Sequence, residues 1–121
     1  MNISHHEMVA KLMKPGAEVL ASMNEHDANL LHCIIGLSGE VGELLDAIKK
    51  AVIYREPLDD INVLEELGDI EFYLEAFRQA IGVSRSATLA ANVDKLGKRY
   101  EGMVYTDKRA QDRADKQEVQ L

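Results

Sequence analysis

Residues 30–52 read LLHCIIGLSGEVGELLDAIKKAV, and their periodicity decides the fold. Leu30, Leu31, Ile34, Ile35, Leu37, Val41, Leu44, Leu45, Ile48 and Val52 recur at intervals of three and four. That spacing lays an apolar stripe along an α-helix. The stretch predicts a helix over about 27–54, opened by the polar run Asn24 to Asp27 and ended at Arg55-Glu56-Pro57. Working outward, Asp59 or Asp60 caps a helix over about 59–81 with Ile61, Leu64, Leu67, Ile70, Leu74 and Phe77 on its stripe, and Gly82 ends it. Ser84 or Ser86 caps a further helix over about 85–100, carrying Leu89, Val93, Leu96 and Tyr100. Residues 3–23 are also helix-periodic, but Pro15-Gly16 predicts a break near residue 14. Met103-Val104-Tyr105 is too short for a strand, and no longer strand pattern competes. The expectation is an all-α, four- to five-helix bundle in one domain, 1–121. Its core covers about 27–101, and the charged residues 106–121 are expected as a loose helix or solvated tail.

Composition narrows the function. The chain has 14 Lys and Arg against 21 Asp and Glu, a net charge of −7. Such a surface argues against general nucleic-acid binding, which needs basic groups to neutralise phosphates. A small phosphorylated ligand stays admissible, because a bound metal supplies positive charge locally. One cysteine, Cys33, permits no internal disulfide and suits a reducing compartment. In an apolar helical run it reads as a small buried hydrophobe. No stretch has the length and apolarity of a signal-peptide core or a membrane span, so a soluble, cytoplasmic protein is expected.

Two acidic pairs stand out inside the apolar helices: Glu40-x-x-Glu43 and Glu66-x-x-Asp69. Residues three apart share a helix flank. At 1.5 Å per residue, Glu43 lies about 18 Å before the loop, and the second pair about 12–17 Å after it. An antiparallel hairpin therefore brings the pairs level. Four converging carboxylates raise one another's pKa or require a cation. Most acids simply face solvent, but two paired sets level across a hairpin favour a site. Helical di-iron centres use Glu-x-x-His. This chain has none, with His5, His6, His26 and His32 placed elsewhere. An all-carboxylate set points to magnesium, with manganese as a substitute. Gly36, Gly39 and Gly42 flank the first pair and Gly68 lies inside the second. Each costs the helix about 0.8–1.0 kcal/mol relative to alanine. A bare stripe serves either tight packing or ligand access, and the sequence leaves both open.

Three segments then carry a resemblance: GLSGEVGELLDAIKK at 36–50, EELGDIEFYLEAF at 65–77 and NVDKLGKRY at 92–100. Together they resemble the MazG-like, all-α nucleoside triphosphate pyrophosphohydrolases over about residues 28–101. The family pattern is E-x-x-E, a gap, then E-x-x-D, and the gap here, Leu44 to Glu65, is 22 residues. The resemblance implies hydrolysis of an NTP or dNTP between the α- and β-phosphates, giving a monophosphate and pyrophosphate. It implies Glu40, Glu43, Glu66 and Asp69 as magnesium ligands. Glu43 and Glu40 are the catalytic candidates, with Glu43 orienting or deprotonating the attacking water. Lys95 and Arg99 match phosphate-contacting positions, with Asn92 one turn earlier. Lys50 shares the flank of Glu43 and could reach a phosphate. Tyr73 and His32 are placed for the sugar or base, with core packing as the alternative for each. Tyr100 is open between packing and binding. The family also implies a homodimer or homotetramer whose subunits complete the bundle.

A rival reading is a non-catalytic helical module, holding a structural metal or acting through protein partners. The intact set of four acids with Lys95 and Arg99 favours the enzyme. Within enzymes, another phosphoanhydride substrate, such as an alarmone nucleotide, is a further alternative. Lys108, Arg109, Arg113 and Lys116 in the tail could close over phosphate, but the plainer expectation for them is solvation.

Overall fold

The computed structural model describes residues 2–117, and all of their regular structure is helical. They fall in two compact units, residues 2–73 and 74–117. The elements are α1 (His5–Leu12), α2 (Gly16–Ser22), α3 (Glu25–Val52), α4 (Asp60–Ile81), α5 (Arg85–Arg99) and α6 (Asp107–Asp112), with single 3₁₀ turns at Glu101–Met103 and Ala114–Lys116. No strand occurs among the described residues, so the chain is all-α as the periodicity predicts.

Local chemistry fixes the helix ends. Ser4 and Glu7 close a reciprocal capping box on α1. Pro15, without an N–H, then starts α2 afresh after Met13 turns extended. Asn24 accepts from Asp27 N–H at 2.8 Å while Asp27 accepts from Asn24 N–H at 3.1 Å. This box starts α3 at Glu25, two residues before the expected boundary. Asp59 accepts from the Asn62 N–H at 3.1 Å at the start of α4. α4 stops where Gly82 turns left-handed at φ 70° and Val83 N–H reaches back to the Arg78 carbonyl at 2.9 Å. That is the Schellman closure, which favours glycine. Ser84 caps α5 through the Ala87 N–H.

In the first unit, α3 and the leading part of α4 run antiparallel. The register is read from their partners. The Tyr73 ring lies against Gly36, the Glu66 carboxylate meets Glu40 and Glu43, and Asn62 shares a groove with Asp46 and Lys50. Later residues on α3 thus face earlier residues on α4, level as the helix pitch requires. Few side chains are enclosed. Cys33 is buried, at 8% exposure, as expected of it. Leu31, Ile34, Ile35, Val41, Leu45, Ile48 and Val52 on α3 stand exposed, as do Ile61, Leu64 and Leu67 on α4. Both stripes read as core in the sequence have faces that no described residue covers.

In the second unit, the charged segment after Gly102 is not loose. Thr106 caps α6 through the Arg109 N–H, and the Arg109 guanidinium donates to the Val104 carbonyl at 3.0 Å. Arg113 turns left-handed, and the following 3₁₀ turn packs on α5. Solvation was expected from the run of charges, but one of those charges, Asp115, is buried on Arg99. The end of the expected tail, residues 118–121, lies outside the described residues.

Candidate functional site

Glu40, Glu43 and Glu66 each present a carboxylate oxygen within 4.8 Å of the other two. Glu66 is buried, Glu40 half-buried and Glu43 exposed. The Oε2 atoms of Glu40 and Glu66 are shut from solvent and receive no hydrogen bond. A carboxylate oxygen only accepts, so two that face one another are satisfied by a shared proton or by a cation. The Glu66 carboxyl is accordingly pushed up to about 7, first by the Glu40 carboxylate it faces, then by burial, then by Glu43. The orphaned oxygens, all hard donors, fit a hard divalent cation.

Asp69, the fourth acid of the expected set, is exposed and is not part of this three-residue group. Residues three apart on a helix are offset by about 60° around its axis. Two acids on one flank therefore need not aim at one point, and on α4 Glu66 points at α3.

The acids border a groove of about 440 Å³ lined by Gly39, Gly42, Glu43, Asp46, Lys50, Asn62 and Glu66. Asp46, Lys50 and Asn62 also line an adjoining hollow of about 350 Å³ with Glu56 and Asp59 at the end of the hairpin. The result is a trough of ligand size. Glycine has two roles along it. A Cβ on Gly36 would stand 2.2–2.6 Å from Tyr73 ring carbons, so its bareness seats that ring. Gly39 and Gly42 have nothing within 4 Å of the equivalent position and leave the groove floor open. Packing and access, the two purposes left open by the sequence, divide between different glycines.

Lys50 Nζ lies 3.0 Å from Asp46 Oδ2, which raises the lysine pKa above its usual value. The expected phosphate contact thus rests on a carboxylate at the groove. Tyr73 is half-buried, packed edge-on against Phe72 at 5.1 Å and 6.3 Å from the His32 ring. Its packing on Gly36 is realised, and His32 remains exposed beside it. Asn92 and Lys95 are exposed on α5, one turn apart on the same flank as Arg99. Arg99 is engaged by Asp115, Nε to Oδ1 at 2.7 Å and Nη2 to Oδ2 at 3.3 Å. This pair holds the guanidinium above and the carboxyl below their usual pKa values.

Three residues escaped the sequence reading. Asp46 lies one turn past Glu43 and Asn62 one turn before Glu66, so helical spacing from the acids could have found them. Asp115 gave no such signal, being one acid among many charges.

The sequence matches the MazG nucleotide pyrophosphohydrolase domain over residues 28–104. The chain belongs to this family. The MazG domain spans nearly all of α3 together with α4 and α5, and takes in the acid cluster, the trough, Tyr73, Asn92, Lys95 and Arg99. Asp115 falls beyond it. Neither curated proteins nor solved structures gave a match. No helix among the described residues is long and apolar enough to cross a membrane.

Proposed function

We propose that this MazG-family protein is a magnesium-dependent nucleoside triphosphate pyrophosphohydrolase. It would cleave an NTP or dNTP between the α- and β-phosphates and release a monophosphate and pyrophosphate, cleaning or tuning a cytoplasmic nucleotide pool. The observation that carries the reading is the pair of buried, unpartnered oxygens on Glu40 and Glu66, set with Glu43 on an open groove. Three carboxylates in that arrangement repel a polyphosphate unless cations intervene. Glu40, Glu43 and Glu66 would hold the metal, with Asp69, one turn past Glu66 on α4, as the further ligand. A cation held there would supply positive charge against the negative charge that develops on the phosphate oxygens.

The residues of the chain then divide the remaining work. Glu43, the exposed member of the cluster, would orient a water and take its proton as the water oxygen bonds to phosphorus. The bond from that phosphorus to the bridging oxygen breaks, and pyrophosphate leaves. Lys95, Arg99 and Asn92 would grip phosphate oxygens, with Lys50 exchanging Asp46 for phosphate. Tyr73 and His32 would meet the nucleoside. The uncovered stripes of α3 and α4 suit a homodimer or homotetramer in which a second copy completes the bundle.

Purified protein, given a panel of NTPs and dNTPs with magnesium, is expected to release pyrophosphate and the monophosphate. EDTA should abolish that release. Orthophosphate as the sole inorganic product would contradict α–β cleavage. Glu43→Gln is expected to lower kcat by about 10²–10⁴-fold, and unchanged turnover in that variant would remove the assigned site.

A further inference from the structure

The C-terminal segment buries one carboxylate, and that carboxylate meets Arg99. The Asp115 side chain is 3% exposed and that of Arg99 16%. Asp115 reaches this position through the left-handed turn at Arg113, in a segment tied down by the Thr106 cap and by Arg109 on the Val104 carbonyl. The pairing is side-on. Nε–H donates to Oδ1 at 2.7 Å and Nη2–H to Oδ2 at 3.3 Å. A guanidinium has five N–H groups in a rigid plane. Asp115 takes two of them along one edge. The others are the two on Nη1 and the second on Nη2, and the Tyr100 side chain also interacts with the guanidinium. The Nη1/Nη2 edge is the one that matches two oxygens of a phosphate.

We propose that Asp115 is a positioning residue for phosphate binding: it fixes the plane of Arg99 so that the Nη1/Nη2 edge is offered to the nucleotide. This rests on the reading that Arg99 contacts phosphate. It brings the segment beyond the MazG domain into the substrate grip. Charge alone predicts the opposite sign. An Asp115 carboxylate offsets the Arg99 cation, so a mere competitor, when neutralised, would let phosphate bind more tightly. A positioning residue, when neutralised, lets the arginine swing, and binding weakens.

The test compares wild type with Asp115→Asn, Arg99→Lys, the double variant and Thr106→Ala. With a magnesium–nucleotide substrate, Asp115→Asn is expected to raise KM about tenfold with kcat within about twofold, a loss on the scale of one charge-assisted contact. Arg99→Lys, which has no second edge to offer, should do the same even if Asp115→Asn fails to fold. The double variant should be no worse than the worse single one, because the two residues act as a unit. Thr106→Ala, which loosens the segment that seats Asp115, should raise KM in the same direction as Asp115→Asn. A readout independent of turnover follows the Arg99 Nε–H resonance on titration with magnesium tripolyphosphate. It should persist on binding, since the Nε edge stays on Asp115. An unchanged or lowered KM in Asp115→Asn, additive effects in the double variant, or loss of the resonance on binding would each overturn the inference. Failure of wild type to bind tripolyphosphate would overturn it as well. If wild type binds tripolyphosphate and keeps the resonance but hydrolyses no nucleotide, only the proposed activity falls.

Discussion

Glu66 titrates near neutrality, and this sets a pH dependence with a definite sign. Its carboxyl is raised to about 7 by the facing Glu40 carboxylate, by burial and by Glu43. An acid raised in the folded state favours folding while protonated. The contribution is complete below the unfolded-state value, about 4.3 for a glutamate, and is lost as pH rises through about 7. Metal-free protein is therefore expected to melt at lower temperature at pH 8 than at pH 5. Glu66→Gln should flatten that slope and raise the metal-free melting temperature at pH 8. Magnesium should stabilise wild type at pH 8 and stabilise the variant much less. Thermal scans with EDTA or magnesium check all three, and a wild-type melting temperature that rises from pH 5 to 8 would sink the account. The acids were legible in the sequence because helical spacing pairs them. That Asp69 stands outside the three-acid group was not, because the direction of each carboxylate depends on which side chains face it across the hairpin. The partner of Arg99 was hidden for a related reason. Asp115 is 16 residues away, and no periodicity links the two.

Helix α3 carries glycines that cost it propensity, and their roles differ by position. Gly36→Ala would drive a methyl into the Tyr73 ring. Overpacking of that kind costs about 1–3 kcal/mol, and the helix gain of about 0.8–1.0 kcal/mol offsets only part. Net destabilisation of order 1 kcal/mol is expected, with a displaced ring. Gly39→Ala and Gly42→Ala meet nothing within 4 Å and should stabilise the isolated fold by up to about 1 kcal/mol each. Both line the groove with Glu43 or beside it, so they should also lower turnover. Denaturant melts paired with activity measurements separate the two effects. Stabilisation without loss of activity would show that the groove floor does not need to be bare. The helix boundaries themselves were legible, since caps and prolines act over a few residues: Asn24, Asp59, Gly82 and Ser84 stand at ends where chemistry put them. The start of α3 came two residues early because Asn24 rather than Asp27 is the cap and Asp27 completes the box.

The described chain leaves much of its apolar surface uncovered, and this is where sequence patterning and the structure part most. Periodicity marks which faces are apolar. It does not say whether the covering surface belongs to the same chain. Leu45 is 66% and Leu64 71% exposed, on the two helices that carry the acid cluster. If a second copy covers these faces, wild type should run as a dimer or tetramer in light scattering. Leu45→Asp with Leu64→Asp should then lower the mass towards one chain and weaken turnover with it. A wild-type monomer would sink that assembly. Cys33 adds a consequence of another kind. Its thiol is the only one in the sequence and is buried on α3. A thiol reagent reaches it only when the surrounding helices part, so its labelling rate measures how often they do. If a metal bridges Glu40 and Glu66, labelling should slow when magnesium is added. With a single reactive sulfur, the adduct on the intact chain gives that opening rate directly, without mapping or mutation. The protein thus contains its own clock for how firmly an ion clasps the hairpin.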